Sequence, residues 1–271
     1  MALYPHTIGV DLGQSRDFTS VAVIQEAYWL TTQHAWQVGL PEVAGWVWPS
    51  QLPSTACIDE ARSRNYHEPD RIGRPPNPPL SLVHLDRHEL HTPYPEIVDR
   101  IGALLRTPPL RLECTPLVVD ATGVGAPVVD MMRQAGLGPT AVTITAGFTP
   151  SYDPHDGSYR VPKRDLISTM SVLLEQRRLR IPRTLPNADL LTRELREFRR
   201  TVTKVGTDAY AAERDRHDDM VLAIALAAWH REFINTHVER ANARIEQNRA
   251  RVAEAEERAN RLALRNTRGV R

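Results

Sequence analysis

The run Met220-Val221-Leu222-Ala223-Ile224-Ala225-Leu226-Ala227-Ala228-Trp229 has no charged side chain, and its only polar atom is an indole nitrogen. A helix built from it is apolar on every side, and such a helix is stable in water only when buried all round. The chain must therefore supply a sheet face and further helices to enclose it. Directly before the run stand His217, Asp218 and Asp219. An acid in the first turn suits the positive end of the helix dipole, so capping accounts for one aspartate. It does not require two. Adjacent carboxylates repel each other at short range, and a cation would relieve that repulsion. Capping and metal ligation both stand at this point.

The elements needed to enclose the helix are legible from the N-terminus onward. His6 to Gly13 reads as a buried strand, with Ile8, Val10 and Leu12 apolar and Asp11 near its end. A polar turn leads to a second β-rich run, Phe18 to Ala27, so the two form an antiparallel hairpin. Leu80 to His91 alternates as a third strand, and Tyr94 to Arg106 has helical spacing with Pro95 near its start. Pro116 to Asp120 is a short apolar strand ending in a carboxylate, the pattern of a buried central strand. Ala121 to Pro127 turns into a helix carrying Val128, Val129, Met131 and Met132, and Ala141 to Thr145 is another strand. This order predicts a right-handed βαβ unit. Beyond it we expect a loop over Gly147–Ser158, a helix over Lys163–Arg178 and a short edge strand over Leu179–Pro182. A helix over Asp189–Phe198 and a hairpin arm over Thr201–Tyr210 complete the sequence.

Two regions stand outside this pattern. Residues 30–79 hold eight of the 21 prolines and, with Trp29, four of the five tryptophans. They read as an insertion with a short helix near 55–65 and a Pro-rich connector, the tryptophans covering a local core or a partner surface. From residue 231 onward the chain is a charged helix. Its seam, Ile234, Val238, Ala241, Ile245, Asn248, Val252, Ala255, Ala259 and Leu262, follows the 3.5-residue period of a coiled coil. We therefore expect a domain over 1–230 and a helical tail over 231–271, with self-association or a partner contact through 234–262.

Three carboxylate positions remain: Asp11 and Asp120 at strand ends, and Asp218/Asp219 opening the buried helix. If the two strands are neighbours, the acids emerge at the carboxyl edge of the sheet, where open α/β folds place their sites. Three or four carboxylates in one cleft need cations, and all-oxygen donors suit Mg²⁺ or Mn²⁺. Two such ions form the clamp for phosphodiester hydrolysis. Net charge is only +1, so an argument for nucleic acid needs a local basic patch. Lys163, Arg164, Arg177, Arg178, Arg180, Arg199, Arg200 and Lys204 offer one, either as a solvated face or as a phosphate track.

Gly9-Val10-Asp11-Leu12-Gly13 with Asp17-Phe18-Thr19, Tyr94-Pro95-Glu96-Ile97-Val98-Asp99, Val119-Asp120-Ala121-Thr122-Gly123-Val124-Gly125, Val161-Pro162-Lys163-Arg164-Asp165 and His217-Asp218-Asp219 together resemble the nuclease domain of tailed-phage terminase large subunits. The resemblance covers roughly residues 6–29 and 80–230. It implies an α/β ribonuclease H-like fold, a mixed sheet of an antiparallel hairpin plus parallel strands flanked by helices. It also implies a Mg²⁺- or Mn²⁺-dependent endonuclease that cuts concatemeric double-stranded DNA during packaging. By position, Asp11, Asp120 and Asp219 are implied metal ligands, with Asp218 a ligand or neighbour and His217 an orienting group. No Gly-x-x-x-x-Gly-Lys-Ser/Thr occurs, so either the packaging motor is a separate polypeptide or the chain is a stand-alone nuclease component. Small terminase or portal is a further expected partner. Little base specificity is expected, because nothing resembles a major-groove reading motif.

Rival readings are an actin-like or sugar-kinase-like ATPase using Asp11-Leu12-Gly13-Gln14-Ser15, a dinucleotide binder using Gly123-Val124-Gly125, and a catalytically silent assembly protein. Cys57 and Cys114 make neither a disulfide framework nor a zinc pattern. No signal peptide or bilayer-length apolar run is present, so we expect a soluble protein of the host cytoplasm with no membrane partner.

Overall fold

Strand β1 (His6–Asp11) is buried along its whole length, which requires cover on both faces and strands on both edges. In the computed structural model, which describes residues 5–13, 17–30, 45–48, 77–123, 125–204, 218–233 and 236, it has all of these. On one edge it pairs antiparallel with β2 (Ser20–Glu26), and on the other it runs parallel to β6 (Leu117–Asp120). The remaining strands are β3 (Tyr28–Leu30), β4 (Gly45–Val47), β5 (Leu80–Arg87), β7 (Thr140–Thr145), β8 (Ser151–Asp153), β9 (Ser158–Pro162) and β10 (Leu179–Arg180). The main sheet has eight strands in the order β10-β5-β2-β1-β6-β7-β9-β8, and β3 pairs with β4 in a separate ribbon. Only β2 and β8 run against the others, so β1, β5, β6, β7 and β9 all end at one edge.

Five helices flank the sheet among the described residues: α1 (Tyr94–Leu105), α2 (Gly125–Gln134), α3 (Lys163–Glu175), α4 (Ala188–Lys204) and α5, which starts at residue 219. Strand alternation divides the core. Ile8, Val10, Val21, Val23, Leu117 and Val119 pack with Ile97, Ile101 and Leu105 of α1 and Val128 and Met132 of α2. Thr7, Gly9, Ala22 and Val118 point to the opposite face by the two-residue period of a strand. That face receives α5. Met220 through Ala228 are buried there with at most 7% exposure. The expected α/β mixed sheet is thus realised, and the apolar run is its innermost helix.

Gly9 decides how close that helix comes. A Cβ at Gly9 would lie 2.0 Å from the Ala223 carbonyl oxygen and 2.9 Å from the Ala227 nitrogen. The α5 backbone therefore rests directly on the β1 backbone, with alanines at the contact.

Several sequence expectations shift in the structure. The stretch 147–158 holds β8 and leads into β9, which pairs in parallel with β7. Its polar residues and Gly157 hid an edge hairpin whose order comes from the neighbouring strand. Helix α3 ends at Glu175, because Arg177 takes a left-handed φ of 54°. Residues 201–204 belong to α4, so this part of the expected hairpin arm is helical: β-branched Thr201, Val202 and Thr203 yield to their context. The rest of that arm, the 55–65 helix and the 234–262 seam lie outside the described residues. The chain divides into two units, Met1–His230 and Arg231–Arg271. No helix among the described residues is long and apolar enough to cross a membrane.

Gly9→Ala is expected to destabilise the domain by about 2–4 kcal/mol, the range of severe steric changes in a core. Gly147→Ala, whose Cβ meets only Thr145 Oγ1 at 3.4 Å, should stay within about 0.5 kcal/mol. Urea denaturation of the two variants checks the contrast.

Candidate active site

Val10 and Val119 are register partners, so the next residues, Asp11 and Asp120, end adjacent parallel strands side by side. Both belong to the α5 face of the sheet by alternation. The turns around them are tightly determined. Thr122 N–H donates to Asp120 Oδ1 at 2.8 Å, and Ile144 N–H donates to Thr122 Oγ1 at 2.9 Å, tying this turn to β7. Helix α2 then starts against the strand end: a Cβ at Gly125 would lie 2.2 Å from the Asp120 carbonyl oxygen. After Asp11, Gly13 N–H donates to Thr19 Oγ1 at 3.1 Å, and Tyr94 O–H donates to the Gly13 carbonyl at 3.1 Å.

The other two acids come from the start of α5. Leu222 N–H donates to the Asp218 carbonyl at 2.8 Å, so Asp218 opens the helix through its backbone. Its side chain is engaged elsewhere: Lys163 Nζ donates to Asp218 Oδ2 at 2.9 Å. Asp219 is buried, and its Oδ2 accepts from Phe18 N–H at 3.3 Å with Arg87 Nη2 at 3.7 Å. Arg87 in turn lies over the Phe18 ring, 3.5 Å from its centroid.

The electrostatics follow from this crowding. Burial pushes the Asp11 carboxyl well above the usual carboxylate range, and the charges of Asp120, Asp219 and Asp218 push it the same way while Lys163 opposes. Asp120 is also raised by burial, against the hydrogen bonds from Thr122 and Asp11 that lower it. Of the two, Asp11 is the more strongly disfavoured as a charged group. Glu194 on α4 is raised to about 7 by burial first and by Asp219 second, with Arg87 pulling the other way.

Two residues here escaped the sequence reading. Arg87 ends a strand that alternates like any half-buried strand, and Glu194 sits among the charges of an amphipathic helix. No local signal marks either; only the register Asp11–Ser20–Arg87 brings Arg87 into the row. The basic track is divided. Lys163 and Arg164 follow β9 at the carboxyl edge, and Arg164 stacks on the exposed Phe148 ring at 4.4 Å and donates to the Phe148 carbonyl. Arg180 instead shares a row with Ser81, Gln25 and His6. At strand rise that row is about 17 Å from Asp11. Arg177 is exposed just before β10, and Arg178 is buried, its guanidinium donating to the Pro78 carbonyl at 3.0 Å. The sheet register thus sets Arg180 at the opposite end of the strands from the acids. The side chains of Arg199, Arg200 and Lys204, and all of His217, lie outside the described residues.

Residues 97–231 match the family model of the terminase RNaseH-like domain. The domain belongs to that family. Among solved structures, the large terminase nuclease from the thermophilic phage G20c is 16% identical, covering 82% of this chain and 80% of that chain with a TM-score of 0.39. A Mn-soaked human cytomegalovirus terminase nuclease domain is 10% identical, covering 82% and 81% with a TM-score of 0.40. No curated protein matches the chain.

In this terminase domain the donor chemistry fits a hard divalent cation. Asp11 and Asp120 present oxygen donors side by side, and Asp11 is raised by three neighbouring carboxylates, a load that a cation would remove. As the side chains lie, no group of three or more His, Cys, Asp or Glu among the described residues is close enough to hold a metal ion. Asp219 faces Phe18 and Arg87, and Asp218 faces Lys163.

A raised carboxyl keeps its proton in the folded state where the unfolded chain has already lost it. Stability therefore falls as pH rises from the unfolded value toward the folded one. The metal-free domain should melt at progressively lower temperature as pH rises above about 4. Asp11→Asn should raise the melting temperature at pH 8 and flatten this slope. Glu194→Gln should remove the part of the fall that ends near pH 7. Thermal scans from pH 4 to pH 8 test both.

Proposed function

We propose that this terminase RNaseH-like domain is a Mg²⁺- or Mn²⁺-dependent endonuclease that hydrolyses double-stranded DNA during genome packaging. The observation that carries the proposal is the in-register pair of buried Asp11 and half-buried Asp120 at the carboxyl edge, with the acids of α5 beside them. Asp11, Asp120 and Asp219 would hold the metal, with Asp218 adjacent and His217 as an orienting group. A pair of divalent ions would supply charge neutralisation at the phosphate and an activated water.

The chain's own residues prepare that site in stated ways. The Thr122 amide fixes the Asp120 carboxylate, and the Thr122 hydroxyl locks its turn to β7. Burial of Asp11 keeps bulk water from screening the acids. Lys163 and Arg164, at the same edge, would meet the phosphate backbone, and the absence of a groove-reading motif fits cleavage with little base preference. Action beside an ATPase packaging motor and small terminase or portal belongs to the same proposal, as does a cytoplasmic setting in the host.

A second reading, a catalytically silent assembly component, is favoured by the Lys163–Asp218 and Arg87–Asp219 pairs, in which basic side chains already face the α5 acids. Plasmid cleavage in Mn²⁺ separates the two. We expect nicking and linearisation by the wild type and a loss of at least about 100-fold, the scale of removing a catalytic group, in Asp11→Asn, Asp120→Asn and Asp219→Asn. Equal cutting by all three variants would remove the metal assignment, and an inert wild type would favour the silent reading.

DNA binding is expected to depend on Arg164 and not on Arg180. Arg164→Ala should lower the slope of log affinity against log salt by about 1, whereas Arg180→Ala should leave it unchanged. Fluorescence anisotropy across a salt series measures both slopes.

A further inference from the structure

We propose that Arg87 is a two-position counter-charge: it pairs with Asp219 and exchanges to Glu194 when a cation takes Asp219. The proposal rests on the metal-dependent reading given above and names the residues that regulate loading of that site. Three elements converge here, the end of β5 with Arg87, the buried side of α4 with Glu194, and the first turn of α5 with Asp219.

The first position is the one the structure contains. Arg87 Nη2 lies 3.7 Å from Asp219 Oδ2, the same oxygen that accepts the Phe18 amide at 3.3 Å. The Phe18 ring, 3.5 Å from the guanidinium carbon, supports Arg87 from below. A guanidinium on an aromatic face can slide in its own plane without losing that support.

The second position is marked by what is left unsatisfied. Arg87 Nε is buried without a hydrogen-bond partner, and so are both carboxylate oxygens of Glu194, a residue only 6% exposed. The Met220 and Val221 amides face Glu194 and favour its charge, but neither oxygen receives a hydrogen bond of normal geometry. Glu194 also senses both Asp219 and Arg87, which places the three groups in one cluster. A buried donor and a buried acceptor left unpaired within one cluster are costly, and each is chemically suited to the other.

The exchange follows from charge balance. The Asp219 oxygen that faces Arg87 can serve the site of Asp11 and Asp120 only by giving up that pairing. A buried guanidinium without a counter-charge is unfavourable, and Glu194 is the carboxyl within the cluster able to supply one. Cation binding and the Arg87–Glu194 pair are then coupled, each favouring the other.

Titration calorimetry of the full chain with Mn²⁺ alone tests the coupling through affinity. Glu194→Gln should weaken Mn²⁺ binding on the order of fivefold or more, because Arg87 then has no second partner. In an Arg87→Gln background the same change should leave the affinity unaltered. If loss of the guanidinium prevents folding, Arg87→Lys replaces it; lacking the two-sided fork, lysine should shrink the Glu194→Gln effect. Equal weakening in both backgrounds, or none in either, would overturn the exchange. A wild type that binds Mn²⁺ in a manner lost in Asp11→Asn, with a flat Glu194 series, overturns the exchange alone. A wild type that takes no Mn²⁺ overturns both the exchange and the nuclease reading.

Discussion

Helix α5 can lie on strand β1 only because Gly9 has no side chain. Any Cβ there would collide with the Ala223 carbonyl oxygen, and the small residue Ala227 completes the contact. This backbone-to-backbone approach does two things at once. It seals the face of the sheet that α1 and α2 leave open, burying the run from Met220 to Ala228. It also sets the start of the helix at the level where β1 ends, so Asp218 and Asp219 reach the edge occupied by Asp11 and Asp120. A larger residue at position 9 would lift the helix and carry two of the four carboxylates with it.

The edge so assembled is electrostatically frustrated. Burial raises Asp11 and Asp120, the charges of Asp120, Asp219 and Asp218 raise Asp11 further, and the fold answers with local donors. Thr122 satisfies Asp120, Phe18 and Arg87 face Asp219, and Lys163 faces Asp218. A fold optimised for stability alone would place apolar residues where the strands end.

Much of this was legible beforehand because the periodic signals are strong. The hairpin of β1 and β2, the apolar strand ending at Asp120, the βαβ unit and the buried α5 all follow from two-residue and 3.6-residue patterns. The β8–β9 hairpin was not legible, because its polar alternation is weak and its order comes from pairing with β7. The basic residues after α3 illustrate another limit. Arg177, Arg178 and Arg180 are near Lys163 and Arg164 along the chain, yet α3 carries them back across the sheet to the far row. Arg178 then turns inward to the Pro78 carbonyl. Sequence proximity of charge says nothing of which edge a connection returns to.

By itself the sequence determined the class of fold and singled out the candidate acids. Alternation and helical periodicity are local properties, and a carboxylate ending an apolar run announces itself wherever the strand lies. The tertiary structure alone decided which strands are neighbours, and so that Asp11 and Asp120 share a row and that Arg87 joins it through Ser20. It also decided that Glu194 comes beside Asp219 from another helix. These relations depend on register and close packing across distant segments, where one residue of slip would turn every side chain to the other face.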